Sequence, residues 1–301
     1  MKKQTKKTTA RSAPLIKRDK TSPAIKVTAT GAAVKAGITF RGAVIKKDMR
    51  IEAPAGGYSA GSDYVVTIAR GKAVAKAMLS VDVPANAIGG FHFAPGGNAT
   101  AEAGGDTIPA INPHSIWDRN FRPACKDPRG MTLVTVPGRG PVWCDIYLLG
   151  KNHLEYGTSM YGVTIADGTD LPQNPAGGTF QKFDYEAACA VMKHHGKQML
   201  GAEEFFTAAF GVTEKTAAPG EPKSTGLDAP RTSRWGLMQA TGNMWAWGTD
   251  GHPTLPRASL FGGSWFNVVS AGSRGALLDY WPGDSGVDIG ARGRSDHLQL
   301  G

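Results

Sequence analysis

At 301 residues, 41% of them hydrophobic and 20% charged, the chain has the composition of a soluble globular protein with room for two domains. Forty glycines and 19 prolines, with few long helical patterns, tilt the class toward strands and loops. The net charge of +9 does not mark a nucleic-acid surface, because residues 1–20 alone carry +7 and the other 281 only +2.

Residues 1–23 are polar, rich in Lys and Thr and short of apolar side chains, so a disordered basic tail is expected, acting as a solvated arm or a tether. No apolar segment follows the basic start, so no secretory signal is expected. No run approaches the length of a membrane span. Cys125, Cys144 and Cys189 are odd in number and lack CxxC spacing, which indicates neither a disulfide framework nor a zinc site. Synthesis in a reducing cytoplasm is the expectation.

Short β-prone runs follow at 24–30, 37–45, 63–69 and 77–83, separated by turn signals at intervals of roughly ten residues. This spacing predicts a small antiparallel β-sandwich. Residues 91–115 read as a loop-like linker, which closes a first domain at 24–115. The Asn98-Ala99-Thr100 sequon within it carries little weight without a secretion signal.

From residue 116 onward the texture changes, and all seven tryptophans lie in this half. One helix is expected from an Asp184 N-cap through Tyr185, Ala188, Cys189 and Met192 to a stop at Gly196. A second, over 202–210, would bury Ala202, Phe205, Phe206, Ala209 and Phe210 before Gly211. Residues 213–234 form a Pro/Gly-rich surface loop.

The candidate chemistry in this half reduces to structural roles. His194-His195 sits at a helix end, where cations complement the dipole. Glu203 and Glu204 are adjacent on a helix and project about 100° apart, which disfavours joint action on one substrate. His153 and Glu155 have no third ligand fixed by spacing. Gly138-Arg139-Gly140 lacks the strand, helix and downstream acid of a dinucleotide loop. Asp296-His297 lacks a marked nucleophile. No catalytic residue, cofactor or metal is therefore expected, and the chain does not read as an enzyme. Trp245 and Trp247 alternate around Ala246 between glycines. They read as a strand anchoring a loop-rich core in preference to a ligand-stacking surface.

The final stretch, 258–301, has a regular frame: Leu260-Phe261-Gly262-Gly263, Trp265, Gly272-Ser273-Arg274, Gly290 to Gly293 and Asp296-His297-Leu298. The positions between follow neither the strand nor the helix period. A rigid frame with unpatterned gaps suits a binding surface better than a packed core.

The segments GNMWAW (242–247), FGGSW (261–265), SR (273–274) and GAR (290–292) resemble the C-type-lectin-like fold of formylglycine-generating enzymes. They resemble still more the variable proteins of diversity-generating retroelements, in their phage tail-fibre tropism-determinant branch. The likeness extends upstream through GGFHFAPG (89–96), WD (117–118), FRPA (121–124), DPRGMTLV (127–134), DIYLLG (145–150) and VTIADG (163–168). It implies an α+β chain in which a C-type-lectin-like domain, 116–301, follows the small antiparallel β-sandwich domain.

By this resemblance, adenine-directed diversification would fall at Ser264, Phe266, Asn267, Val268, Ser270, Leu277, Asp279, Tyr280, Asp284, Gly286, Asp288 and Ile289. An AAC codon changed at its first two bases cannot encode Lys, Glu, Gln, Met or Trp, and none of the twelve is one of these. Phe266, Leu277, Tyr280 and Ile289 would supply exposed apolar contact, and Asp279, Asp284 and Asp288 would set charge preference. Trp265, Arg274, Trp281 and Arg292 would be framework. The resemblance implies a homotrimer at a virion tail-fibre tip that binds a host cell-surface molecule, expected to be a protein. The confinement of the positive charge to residues 1–20 argues against nucleic acid as a partner of the folded part.

Two features depart from the family pattern. The basic tail stands where phage members carry a small β-prism, and no cysteine follows Cys189, whereas the oxidase relatives need a late reactive pair. A bacterially encoded diversified surface protein remains the alternative, with an oxidase behind it.

Overall fold

The computed structural model describes residues 15–17, 19–94, 110–251 and 258–299. The chain is mostly β, with few helices. It begins with β1 (Leu15–Ile16), then the hairpin of β2 (Ile25–Thr28) and β3 (Gly31–Val34), and the hairpin of β4 (Ile38–Phe40) and β5 (Ala43–Ile45). Next come β6 (Met49–Glu52), β7 (Ser62–Ala69), β8 (Lys72–Ala77), the long β9 (Ala87–Phe93) and β10 (Trp117–Asp118). Strands β1, β4 and β5 form one small sheet, and the other seven form a second in the order β10-β9-β7-β8-β6-β3-β2.

Two tight turns set the register of this half. Arg41-Gly42 and Arg70-Gly71 both have positive φ at each central residue, the backbone of a type I′ turn whose twist matches the strands it joins. The expected strand over 37–45 is therefore a hairpin folded at Arg41-Gly42. The expected strand at 77–83 instead ends at Ala77, because Arg70-Gly71 starts β8 at Lys72. The larger sheet is mixed, not purely antiparallel, since β6 and β8 run parallel at Ile51↔Ala73.

Two further expectations change. Residues 91–93, assigned to a linker, continue β9 and are largely buried, while most of that linker and its sequon lie outside the described residues. Residues 15–17 and 19–23, assigned to the disordered tail, belong to the fold. Leu15 pairs with Phe40 and is buried, and Lys17 Nζ forms a buried ion pair with Asp118 Oδ2 at 2.6 Å. One buried apolar side chain and one buried ion pair outweigh the polar average of the segment. Residues 1–14 lie outside the described residues.

Glycine lets the two halves close on each other. A Cβ on Gly89 would lie 2.2 Å from the Trp117 carbonyl oxygen, and one on Gly90 would lie 2.7 Å from the Trp117 ring. Trp117 joins Val65, Met78, Ala87, Phe121, Met131 and Trp143 in one buried cluster, so apolar packing is continuous across residue 116. Asp63 Oδ1 accepts from Gly130 N–H at 3.0 Å, and buried His92 Nε2 lies 3.0 Å from the Tyr147 hydroxyl.

The second half contains β11 (Met131–Val136), β12 (Gly140–Asp145), the single turn α1 (His153–Tyr156), α2 (Tyr185–His194), β13 (Gln198–Met199) and α3 (Ala202–Ala208). It continues with β14 (Trp245–Gly248), β15 (Ala258–Phe261), β16 (Ala276–Tyr280), β17 (Ile289–Gly290) and β18 (Gly293–Asp296). Two four-stranded sheets result, β11-β12-β18-β13 and β16-β15-β14-β17. Helix α2 starts where its cap places it, with Asp184 Oδ1 accepting from Ala187 N–H at 3.0 Å. Helix α3 buries Phe205 and Ala208, but Phe210 is exposed, because the helix ends at Ala208 and the chain turns at Gly211. Glu204 is a buried cap, accepting from Gly201 N–H at 2.8 Å, and pairs with Arg139 and Arg294.

Candidate ligand-binding face

Strand β14 is the spine of the candidate site. Trp245 and Trp247 share one face of the strand read from sequence, and since Ala246 and Gly248 are buried as well, both faces of β14 are covered. Antiparallel β15 lies on one side and parallel β17 on the other. After β15 the chain leaves the sheet through Gly262 and Gly263, both with positive φ. A Cβ on Gly263 would lie 2.6 Å from Ala271 Cα, so only glycine allows the 264–271 loop to close this tightly.

That loop is pinned from both ends. Gly262 N–H donates to Gly275 O at 2.8 Å, and Trp265 N–H donates to Asn243 O at 3.0 Å. The Glu214 carboxylate accepts from Ser273 N–H at 3.0 Å and from its hydroxyl at 2.5 Å. Helix α2 fixes the next loop, since Tyr185 N–H donates to Pro282 O at 3.1 Å and Phe183 N–H to Ser285 Oγ at 3.0 Å. Gly168 N–H donates to Gly286 O at 2.9 Å.

Beneath these loops, Arg292 is fully buried and donates to the carbonyls of Asp145, Ile146, Met238 and Gln239 at 2.5–3.2 Å. Burial lowers its guanidinium to about 10. Arg274 lays its guanidinium over the Phe206 ring, 5.1 Å from the centroid.

The twelve sequence-predicted positions divide into two sets. Phe266 (59% exposed), Val268, Ser270, Leu277, Asp279 and Asp284 open to solvent, while Tyr280 and Gly286 are half buried. Phe266 stacks on Trp265 with ring centroids 3.6 Å apart, and Tyr280 packs 5.8 Å from Trp247. Burial and the nearby carboxylates of Asp284 and Asp288 push the Tyr280 phenol up.

The other set turns inward. Ile289 was expected to offer apolar contact, but it is 2% exposed and joins the core with Trp245, Trp247 and Phe183. Ser264 is buried, and Asn267 and Asp288 are half buried around it. A parallel partner on β14 turns Ile289 away from solvent, which local sequence does not reveal.

Sequence reasoning also missed residues on the open side. Val269 (82% exposed), Leu278, Trp281 (51% exposed) and Val287 lie beside the predicted positions. Val268-Val269 and Leu277-Leu278 are adjacent apolar pairs with both members exposed, whereas Val65-Val66 and Leu148-Leu149 are buried on both, so the doublet alone does not separate surface from core. Among the described residues, seven of the thirteen exposed large hydrophobics lie between 266 and 287.

The candidates for chemistry do not gather here. His153, the first residue of α1, is buried with its Nδ1 2.9 Å from His195 Nε2, and His194 is exposed. No group of three or more His, Cys, Asp or Glu able to hold a metal occurs among the described residues. No helix among them is long and apolar enough to cross a membrane.

A family profile described as "Mtd second domain" matches residues 22–118. The chain is 40% identical to the "Tail fiber receptor-binding protein" of Bordetella phage BPP-1 over 337 residues, covering 95% of this chain and 85% of that protein. Among solved structures, it matches the "Major Tropism Determinant U1 Variant" with a TM-score of 0.85 and 38% identity, covering 96% of this chain and 87% of that one. The "I1 Variant" matches with the same TM-score and coverage at 39% identity.

Proposed function

Because the chain belongs to the major tropism determinant family, we propose that the surface between Trp265 and Asp288 is its receptor-binding face. The protein is a receptor-binding tropism determinant of the phage tail-fibre type. The observation that carries the location is the crowding of exposed apolar side chains between 266 and 287. Such a patch is costly in water and is the mark of an interaction site.

In this reading Phe266, Val268 and Leu277 supply contact area. Tyr280 and Trp281 are of the residue types that dominate interface hot spots. Asp279 and Asp284 favour a partner with complementary basic groups, and Ser270 and Gly286 lie at the margin. The partner is a host cell-surface protein, since an apolar face with acidic margins suits a protein surface better than a glycan. The relatives are receptor-binding proteins, not enzymes, and the reading assigns no catalysis and no cofactor. Residues 116–301 act as a C-type-lectin-like unit carried by the sheet unit of 24–115. The face is diversified by a retroelement, and three copies at a tail-fibre tip gain avidity from multivalent display.

The test is adsorption of labelled protein to a panel of bacterial strains. The combined Phe266→Ala, Val268→Ala and Leu277→Ala variant is expected to lose adsorption, with a melting temperature within about 4 °C of the parent. Retained adsorption overturns the reading. A larger fall in melting temperature would place these side chains in the core.

A further inference from the structure

Three of the inward-turned positions meet in one hydrogen-bonded network beneath the face. Trp245 Nε1–H donates to Asn267 Oδ1 at 2.9 Å. Ser264 Oγ lies 2.6 Å from that same oxygen and 3.0 Å from Asp288 Oδ2. The backbones repeat the pattern: Trp245 N–H donates to Asp288 O at 2.8 Å, and Asn267 N–H donates to Ser264 O at 2.9 Å. Ser264 also bridges to Asn243, which directly precedes Met244 and Trp245.

The Ser264 hydroxyl carries one proton and has an oxygen acceptor on each side, so it donates to only one at a time. It is completely buried, a setting in which overpacking is costly. The loops it joins are those that carry Phe266, Val268 and Val269 on one side and Asp284 and Val287 on the other.

We infer that Ser264, Asn267 and Asp288 are positioning residues of the face. Anchored on Trp245, they form one coupled layer that sets how the 266–270 turn stands against the 284–288 loop, and they shape specificity without touching the ligand. The purpose of the face rests on the receptor-binding reading above, but the coupling does not. Substitution at any one of the three changes what the other two tolerate, because removing one partner leaves a covered donor or acceptor unpaired. Phe266, Val268 and Leu277, by contrast, vary independently.

The test uses the full chain and needs no ligand. Unfolding equilibria are measured in urea for Ser264→Ala, Asn267→Ala, Asp288→Ala and their pairs. Double variants are expected to depart from the product of the singles by at least about twofold, and up to about a hundredfold, in the unfolding constant. Asp288→Asn keeps an acceptor oxygen and is expected to restore most of what Asp288→Ala loses. Amide hydrogen exchange supplies the readout specific to positioning. Ser264→Ala should speed exchange in 265–271 and 284–289 together, with α2 and β7 unchanged, whereas Phe266→Ala should speed neither.

Additive doubles, faster exchange in only one loop, or no rescue by Asp288→Asn overturns the inference. If Ser264→Ala does not fold, the cycle between Asn267→Ala and Asp288→Ala reads the same coupling through the retained serine. Loss of the receptor-binding reading would appear only in adsorption and would leave these measurements unchanged.

Discussion

Ile289 is the register partner of Trp245 in the parallel β14–β17 pair, and its side chain is buried against the tryptophan core. The position that follows the largely open 284–288 segment therefore has the energetics of a core residue. Ile289→Ala is expected to cost about 2–5 kcal/mol, as for other aliphatic truncations that leave a cavity. Phe266→Ala, 23 residues earlier, should stay within about 0.5 kcal/mol. Urea denaturation of the two variants checks the contrast, and equal costs would refute it.

Arg292 satisfies four carbonyls with one planar fork, in a site that already lowers its guanidinium to about 10. A lysine cannot span both pairs, and the same burial would drive its ammonium toward neutrality. Arg292→Lys should destabilise the protein by more than about 3 kcal/mol, from at least two covered carbonyls left unpaired. Thermal denaturation gives the answer, and a melting temperature near the parent's would show that water replaces the lost donors.

Lys17 and Asp118 form an ion pair buried on both sides, and Asp118 Oδ2 also accepts from Ala24 N–H at 2.6 Å. Lys17→Met leaves the carboxylate covered with only backbone donors. The expected loss is about 3–5 kcal/mol, typical of breaking a buried pair on one side. Chemical denaturation measures it. A loss under 1 kcal/mol would mean that water reaches Asp118 once the ammonium is gone.

The His153–His195 pair predicts an acid-sensitive stability. His153 Nε2–H donates to the Gln173 carbonyl at 2.7 Å, so its Nδ1 accepts from His195 Nε2–H. Burial lowers both imidazoles, His195 to about 3 with help from His153, Lys197 and His194. In the unfolded chain both titrate near 6.5. The folded values are depressed, so this contribution is complete above about pH 6.5 and is lost as pH falls toward 3. At pH 5 the loss from His195 is at most about 2 kcal/mol, and less after solvent screening at this partly exposed ring. Melting temperatures from pH 7.5 to 5 should fall, and His195→Gln should flatten that fall. An unchanged slope in the variant would remove the pair as its cause.

Much of the scaffold is legible one segment at a time. Asp184 caps its helix, Gly211 turns the chain after α3, and Trp245 and Trp247 alternate in a strand, because each signal acts within a few residues. The Arg41-Gly42 and Arg70-Gly71 turns were missed because arginine at positive φ is unusual, and the glycine alone does not fix the turn type. Leu15 and Lys17 were hidden by the basic composition around them, though each has a partner far along the chain.

The sequence by itself determined that a fixed frame of glycines and large anchors surrounds unpatterned positions near the C-terminus, because φ preference and periodicity are local properties. Only the tertiary structure decided which of those positions face outward. Ile289 is buried by Trp245, Ser264 by Asn267 and Asp288, while Trp281 and Val269 are left in solvent. Burial is a relation between segments distant in the chain, set here by a parallel strand pair and a closed loop. No local pattern encodes which neighbour will arrive.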